Sequence, residues 1–271
     1  MPRDGRRTLG PQHEMPKLLV EERRRRILEL LDTHERATVD GLADQFAVST
    51  VTIRGDLDEL ANRGRLVRSH GGAIRRIDQG EQRLSVKETL NHHEKVRIAH
   101  AAMELVGEND TIILDSGTTT AEIARALKHR PPRAVTVITN GLNIAMQLTG
   151  LSQVRVIMIG GLLREMSYST VGPQAEQVLS GLTADHLFLG VDGLDPAIGL
   201  TTPDVLEAQL NTLMIRVSRE VTVVADSSKF GRRSLSVIAG LGDVDRLITD
   251  HRADPAFIGA VRAHDIDVTL V

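Results

Sequence analysis

The chain has 271 residues, enough for two ordinary domains and a sizeable core, with 33 Lys and Arg nearly balanced by 36 Asp and Glu. The absence of cysteine excludes disulfides, thiolate metal sites and cysteine nucleophiles, and the absence of Trp, with 2% aromatics, argues against a platform that stacks single-stranded bases. No apolar run approaches 18 residues and no secretory pattern opens the chain, so the expected location is cytoplasmic, with no membrane partner.

Charge is unevenly spread. Residues 1–76 hold 15 Lys and Arg against 12 Asp and Glu, whereas the remainder holds 18 against 24. A mildly basic N-terminal module on an acidic body fits nucleic-acid contact by one end only.

Residues 1–16, MPRDGRRTLGPQHEMP, are aperiodic and rich in Gly, Pro and charge, and are expected to form a disordered tail, with Met15 an alternative start. A helix is predicted from about Lys17 to His34, its apolar side made by Ile27, Leu28, Leu30 and Leu31. Its run Arg23 to Arg26 reads either as a solvated face or as a set of phosphate contacts. A second helix starts near Thr38, with Val39, Leu42, Ala43 and Phe46 at i, i+3, i+4 and i+7. After the turn Ala47-Val48, Ser49 is placed to cap a third helix. Ile53, Leu57 and Leu60 give that helix its buried face, while Thr50, Val51, Arg54, Gly55 and Asp58 lie largely off it. Gly64 ends the helix, and Arg65 to Arg68 leads through His70 into Gly71-Gly72 as a β-wing.

Helix, turn, helix and wing in that order predict a winged helix-turn-helix over residues 17–76, with a double-stranded DNA operator as partner. Candidate DNA contacts are Ser49, Thr50, Val51, Thr52 and Arg54, with Arg54 the expected reader of base edges. Arg68 and His70 of the wing are expected at the DNA backbone or minor groove.

Residues 77–91 are polar and read as a linker. From residue 92 to 271 short apolar strands alternate with helices, which predicts an α/β domain with a mainly parallel sheet. Strands are expected at Thr111–Leu114, Val135–Ile138, Val154–Ile159, Leu187–Val191, Val221–Ala225, Arg246–Ile248 and Asp267–Leu270. Helices are expected from near His92, then at Thr119–Lys128, Asn143–Leu148, Gln174–Leu182 and Pro203–Arg219. The pair His92-His93 has no third ligand at metal spacing and reads as structural or solvated; no metal and no cofactor are implied.

Ligands of parallel α/β sheets bind outside the carboxyl ends of the strands. The first strand is followed by Asp115, Ser116, Gly117, Thr118, Thr119 and Thr120, and the second by Thr139 and Asn140. The third leads to Gly160 and Gly161 with Arg164 nearby, the fourth to Asp192 and Gly193, and the fifth to Asp226-Ser-Ser-Lys229. Five polar, Gly-bearing strand ends on one edge predict an effector crevice. Ser116 to Thr120 sits where a helix begins, so free N–H groups, helix dipole and hydroxyls suit an anion, phosphate best. Arg164 and Lys229 add charge, while Asn140, Asp115 and Asp192 are placed to bond sugar hydroxyls. The expected ligand is a small phosphorylated polyol. No GxxxxGK[ST] run is present, which disfavours a nucleoside triphosphate. Tyr168 either lines the crevice or packs beside it.

These residues resemble the DeoR family of bacterial transcriptional regulators over about residues 18–250. Val48-Ser-Thr-Val-Thr-Ile-Arg54, Asp56-Leu57 and His70-Gly-Gly-Ala73 look like its DNA-binding signature. Leu114-Asp-Ser-Gly-Thr-Thr-Thr120, Thr139-Asn140, Gly160-Gly161 and Asp226-Ser-Ser-Lys229 look like its effector domain. The resemblance implies a fold similar to ribose-5-phosphate isomerase, a sugar-phosphate effector, and a repressor of a carbohydrate operon released by that effector. Ser49–Arg54, Gln174–Gln177 and Leu187–Asp192 look closest to the aminosugar (N-acetylgalactosamine) utilisation repressors within the family. One departure is Gly55, where the family usually has a second polar or basic residue after the arginine. A homo-oligomer, dimer or tetramer, is expected because half-site spacing must be set by a two-fold axis. The alternative is a sugar-phosphate isomerase or deaminase with an accessory DNA-binding module, using Asp192 and Asp115 as acid and base.

Overall fold

The computed structural model describes residues 19–34, 36–62, 66–69, 71–75, 82–129 and 134–271. They form two compact units that divide between residues 78 and 79.

The first unit contains α1 (Val20–His34), β1 (Arg36–Thr38), α2 (Val39–Phe46), α3 (Thr50–Asn62), β2 (Leu66–Ser69) and β3 (Gly72–Arg75). The strands pair antiparallel in the order β1-β3-β2. The helix starts follow local chemistry. Thr38 accepts a hydrogen bond from the Gly41 N–H to cap α2, and Ser49 Oγ accepts from the Thr52 N–H at 3.1 Å to cap α3. Between them Ala47 takes a left-handed conformation, φ 52°, which turns the chain. Ile27, Leu31, Leu42, Ile53, Leu57, Leu66 and Ala73 pack into one apolar core. The result is the expected winged helix-turn-helix.

Two of the four consecutive arginines are structural. Arg23 Nε bonds Asp56 Oδ2 at 2.5 Å and Arg24 Nε bonds Asp56 Oδ1 at 3.0 Å, tying α1 to α3. The Asp56 side chain is 4% exposed and that of Arg23 6%, so Arg23 is neutralised by Asp56, which also holds Arg24. Arg25 and Arg26 are exposed and pair along α1 with Glu29 and Glu22.

The second unit contains α4 (Leu84–Thr89), α5 (His92–Met103), β4 (Thr111–Leu114), α6 (Thr118–His129), β5 (Val135–Thr139), α7 (Leu142–Leu148), β6 (Val154–Met158), β7 (Leu162–Arg164) and β8 (Ser169–Val171). It continues with α8 (Pro173–Leu179), β9 (Ala184–Leu189), β10 (Gly193–Asp195), β11 (Gly199–Thr202), α9 (Val205–Val217), β12 (Ser218–Val224), β13 (Ser236–Ala239), β14 (Arg246–Thr249), α10 (Pro255–Arg262) and β15 (Asp267–Leu270). The main sheet has the order β15-β14-β12-β9-β4-β5-β6, and all its pairings are parallel. Alternation along the strands splits the core in two. Ile112 and Leu114 face a layer containing Ile98, Ile123, Leu127 and Ile144 of α5, α6 and α7. Ile113 faces the other layer, with Leu179, Leu210, Met214 and Val261 of α8, α9 and α10.

Several elements were not expected from the sequence: α4 within the stretch read as linker, the β7-β8 hairpin, and the small antiparallel sheet β10-β11-β13. Each is three to six residues long, too short for a periodic signal. Among the described residues no helix is long and apolar enough to cross a membrane.

Removing Asp56 leaves the buried Arg23 guanidinium uncompensated, while Arg24 keeps Glu21 at 3.0 Å. Asp56→Ala is expected to destabilise the first unit by about 3–5 kcal/mol, read from amide hydrogen exchange along α3. Gly55, exposed in the middle of α3 with open space around an added Cβ, gives the opposite sign. Gly55→Ala is expected to slow the same exchange, a gain of about 1 kcal/mol.

Candidate functional site

In the main sheet β4 and β9 are neighbours, but the chain leaves them in opposite directions: toward β5 after β4, toward β12 after β9. This is a topological switch point, where diverging loops open a crevice. A cleft lies there, lined by the loop Asp115–Thr119 after β4, the loop Gly190–Asp192 after β9, and Lys229 beyond β12. Ser167, Thr202, Glu207 and Asn211 form further wall, and Leu84 and Lys87 of α4 complete it.

Of the sequence-predicted effector residues, Asp115, Ser116, Gly117, Thr118, Thr119, Asp192 and Lys229 line this cleft. The others do not. Thr120 is fully buried behind it, its Oγ1 donating to Asp115 Oδ1 at 2.6 Å. Thr139 ends β5 and Asn140 follows it, on the far side of β4. Thr139 Oγ1 accepts from the Gly141 N–H, and Asn140 Nδ2 donates to the Thr170 carbonyl beneath β8. Gly161 and Gly193 are packing positions: a Cβ would stand 2.5 Å from the Val171 carbonyl at the first and 2.4 Å from the Arg232 carbonyl at the second. Gly160 lies beyond β6, two strands from the switch point. Arg164 stands behind the wall, bonding Glu207 at 2.5 Å and Asp204 at 3.2 Å. Tyr168 sits at the hairpin turn with φ 52°, 45% exposed and outside the cleft, which its neighbour Ser167 lines instead.

Sequence reading missed Lys87, Glu207 and Asn211. Lys87 lies in a stretch too short for periodicity. Glu207 and Asn211 interrupt the predicted helix as polar residues one turn apart, the signal that marked them.

The cleft brings together groups of positive character. Ala121 N–H bonds the Gly117 carbonyl as the first link of α6, so the N–H groups of Thr118, Thr119 and Thr120 have no partner within the helix. Opposite stand two ammonium groups. Lys87 Nζ lies 2.7 Å from Asp192 Oδ1 and Lys229 Nζ 3.9 Å from it. Burial alone would raise the Asp192 carboxyl, but the two lysines outweigh it and hold the group below the usual carboxylate range. Burial also lowers Lys229, partly offset by Asp192 and Asp226. Lys95 of α5 donates to the Lys87 and Leu90 carbonyls and so pins α4 in place. Burial pushes Lys95 down to about 8.

The cleft measures about 60 Å³, room for about two waters and several times too small for a phosphorylated sugar. A larger cavity of about 390 Å³ lies between α5 and α6. It is away from the strand ends, and of its two carboxylates, Glu104 and Glu122, the latter is already paired with Arg125 at 3.2 Å and His92 at 3.6 Å. The described residues contain no cluster of metal-ligating side chains, at His92-His93 or elsewhere.

On the first unit, α3 presents Val51 at 72% exposure, with Arg54 and Gly55 also exposed and Thr50 and Thr52 half-exposed. Ser49 and Thr52 share a hydroxyl contact at 2.9 Å. Arg68 pairs with Asp58 of α3 at 3.0 Å and donates to the Gly72 carbonyl, which fixes the wing to the exposed helix. His70 lies outside the described residues.

Two family models match this chain in sequence. The DeoR-like helix-turn-helix domain covers residues 23–79 and the DeoR C terminal sensor domain covers residues 90–251. The chain belongs to the DeoR family. It is 40% identical to the HTH-type transcriptional regulator GlpR of Haloferax volcanii, over 88% of this chain and 92% of that protein. It is 37% identical to the transcriptional repressor AccR of Agrobacterium fabrum (85% and 90%), and 30% identical to the glycerol-3-phosphate regulon repressor of Escherichia coli K12 (92% and 98%). It also overlaps in part with ribose 5-phosphate isomerase A of Methanocaldococcus jannaschii, at a TM-score of 0.38 and 20% identity over 52% of this chain and 55% of that one. In this DeoR-family protein the expected two-part organisation is therefore observed: a DNA-binding winged helix and a sensor domain.

Asp115 gives the sensor cleft a pH signature. Its carboxylate is buried beneath the cleft and pushed up to about 6 by desolvation, against hydrogen bonds from Thr120, Gly117 and Gly190. The protonated form is favoured in the folded state, so the burial cost is absent below pH 4 and fully present above pH 6. Stability should fall by about 3 kcal/mol across that window. Urea unfolding of wild type and Asp115→Asn at pH 4 and pH 7 checks this: the wild type is expected to lose that much relative to the variant on going to pH 7.

Proposed function

We propose that this DeoR-family regulator is a repressor of a carbohydrate catabolic operon, and that a phosphorylated sugar in the sensor cleft releases it from its operator. The observation that carries the reading is the convergence of the α6 N-terminus with Lys87 and Lys229 on one cleft. That combination suits a dianionic phosphate ester. The names of relatives that repress a glycerol-3-phosphate regulon and other genes support it.

In the free form Asp192 stands in for the effector's anion, holding both lysines. An incoming phosphate takes over that role, and the narrow cleft must open around α4 to admit it. Release of the operator follows only because the effector prefers the open form, since equal affinity for both forms shifts nothing. On the DNA side, α3 enters the major groove. Val51 meets a thymine methyl, Arg54 reads a base edge, and Ser49, Thr50 and Thr52 contact bases or phosphates, with Arg68 and His70 at the wing. The protein acts in the cytoplasm as a dimer or tetramer. The exposed Leu162, Leu163 and Met146 near the free edge of β6 support an interface between copies. A regulator is favoured over an enzyme because the relatives the chain matches over most of its length are named as regulators and repressors.

The test is fluorescence anisotropy on DNA upstream of the protein's own gene at ~150 mM salt, where non-specific phosphate attraction is much weakened. Specific binding above random DNA is expected, lost on addition of a phosphorylated sugar. Arg54→Ala should weaken operator binding by about 1–3 kcal/mol and relax base preference at one position. Lys229→Met should keep operator binding but lose the response to the sugar phosphate. Equal binding to random DNA by the wild type overturns the reading.

A further inference from the structure

We propose that Asn211 and Glu207 select the effector by its hydroxyl groups, an assignment that rests on the sugar-phosphate reading above. The two residues stand one turn apart on α9, so their side chains leave the same face of the helix. Each is 7% exposed, and both border the cleft.

Their hydrogen bonding is unequal. Glu207 Oε1 is saturated, accepting from Ser167 Oγ and Ser169 Oγ at 2.6 Å and from Arg164 at 2.5 Å. Among the described residues Glu207 Oε2 has only Thr202 Oγ1 at 3.4 Å, well beyond the usual O–H···O distance. The Asn211 amide has no hydrogen-bond partner among the described residues, although it is more than nine-tenths buried at the cleft wall. Its small residual exposure is at the cleft, so in the free protein water serves the amide, and an entering ligand group can take that water's place.

A sugar hydroxyl matches both atoms at once. It donates its proton to Glu207 Oε2 and accepts from Asn211 Nδ2. A deoxy carbon does neither, and an ammonium group cannot accept. The N-terminus of α6 and the two lysines meet any phosphate ester alike, so discrimination among esters falls to α9. Sites with buried polar groups reject a ligand lacking the matching hydroxyl far more strongly than apolar pockets reject a change of shape.

The experiment uses the full chain as wild type, Asn211→Leu and Asn211→Asp. Calorimetric affinities are measured for inorganic phosphate, ribose 5-phosphate, 2-deoxyribose 5-phosphate and the 6-phosphates of glucose, galactose and glucosamine. The wild type is expected to prefer at least one sugar phosphate over inorganic phosphate, and both variants to cut that ratio by roughly tenfold or more. Asn211→Leu should leave the Tm of the free protein unchanged, because no hydrogen bond within the described residues is lost. A merely structural amide would lower it. Unchanged ratios in Asn211→Leu, or a fall in ratio accompanied by a fall in free-protein Tm, overturn the assignment. A wild type that binds none of the sugar phosphates sinks the sugar-phosphate reading itself, and this assignment with it. A wild type that binds them while the leucine variant keeps the same order of preference sinks the assignment alone.

Discussion

Two ammonium groups share one carboxylate at the mouth of the sensor cleft, and the conformation of the sensor depends on that arrangement. Lys87 comes from α4, Lys229 from beyond β12 and Asp192 from the loop after β9. Without Asp192 the two lysines would repel each other beside the positive end of the α6 dipole. With it, α4 is drawn down onto the strand ends and the cleft closes. The Lys87–Asp192 contact is partly shielded from solvent, so it is stronger than a surface pair, yet it is an exchangeable contact between mobile side chains. The pair therefore bridges α4 to the loop after β9 at the cleft mouth.

The position of the cleft comes from topology. Parallel strands with right-handed crossovers put α6 and α9 on opposite faces when the winding reverses, and the gap falls between β4 and β9. This explains why the polar loops after β5 and β6 serve packing instead. They lie on the same edge of the sheet but away from the reversal, where the β7-β8 hairpin covers Asn140 through Thr170. A carboxyl-end loop is necessary for a ligand contact in such a sheet, but not sufficient.

The DNA-binding unit solves a different problem, holding one exposed helix at a fixed angle with a small core. Its apolar cluster is supplemented by the Arg23–Asp56–Arg24 bridge from α1 to α3, and Arg68 ties the wing to Asp58 on the same helix. The polar groups that orient α3 lie at positions 56 and 58, leaving Val51 and Arg54 uncommitted on the outward face. Gly55 sits on that face with nothing against it, so its lack of a side chain is a property of the outward surface and not a demand of the fold.

What the sequence determined by itself was local. Helix caps at Thr38 and Ser49, the buried face of Ile53, Leu57 and Leu60, the apolar strands and the polar loops after them depend on residues a few positions apart, so periodicity and capping reveal them. The hydroxyl-rich start of α6 was legible for the same reason. Only the tertiary structure decided which loops meet, because the adjacency of β4 and β9 is a pairing between segments some seventy positions apart that no local pattern encodes. The partners of the cleft follow from that pairing: Lys87 reaches Asp192 across 105 positions of chain, and Glu207 and Asn211 arrive on a helix whose apolar stripe drew attention to its other face. The four arginines of α1 are one run in the sequence and two kinds of residue in the fold, since burial against Asp56 is decided by the crossing of α1 and α3 and not by anything adjacent in the chain.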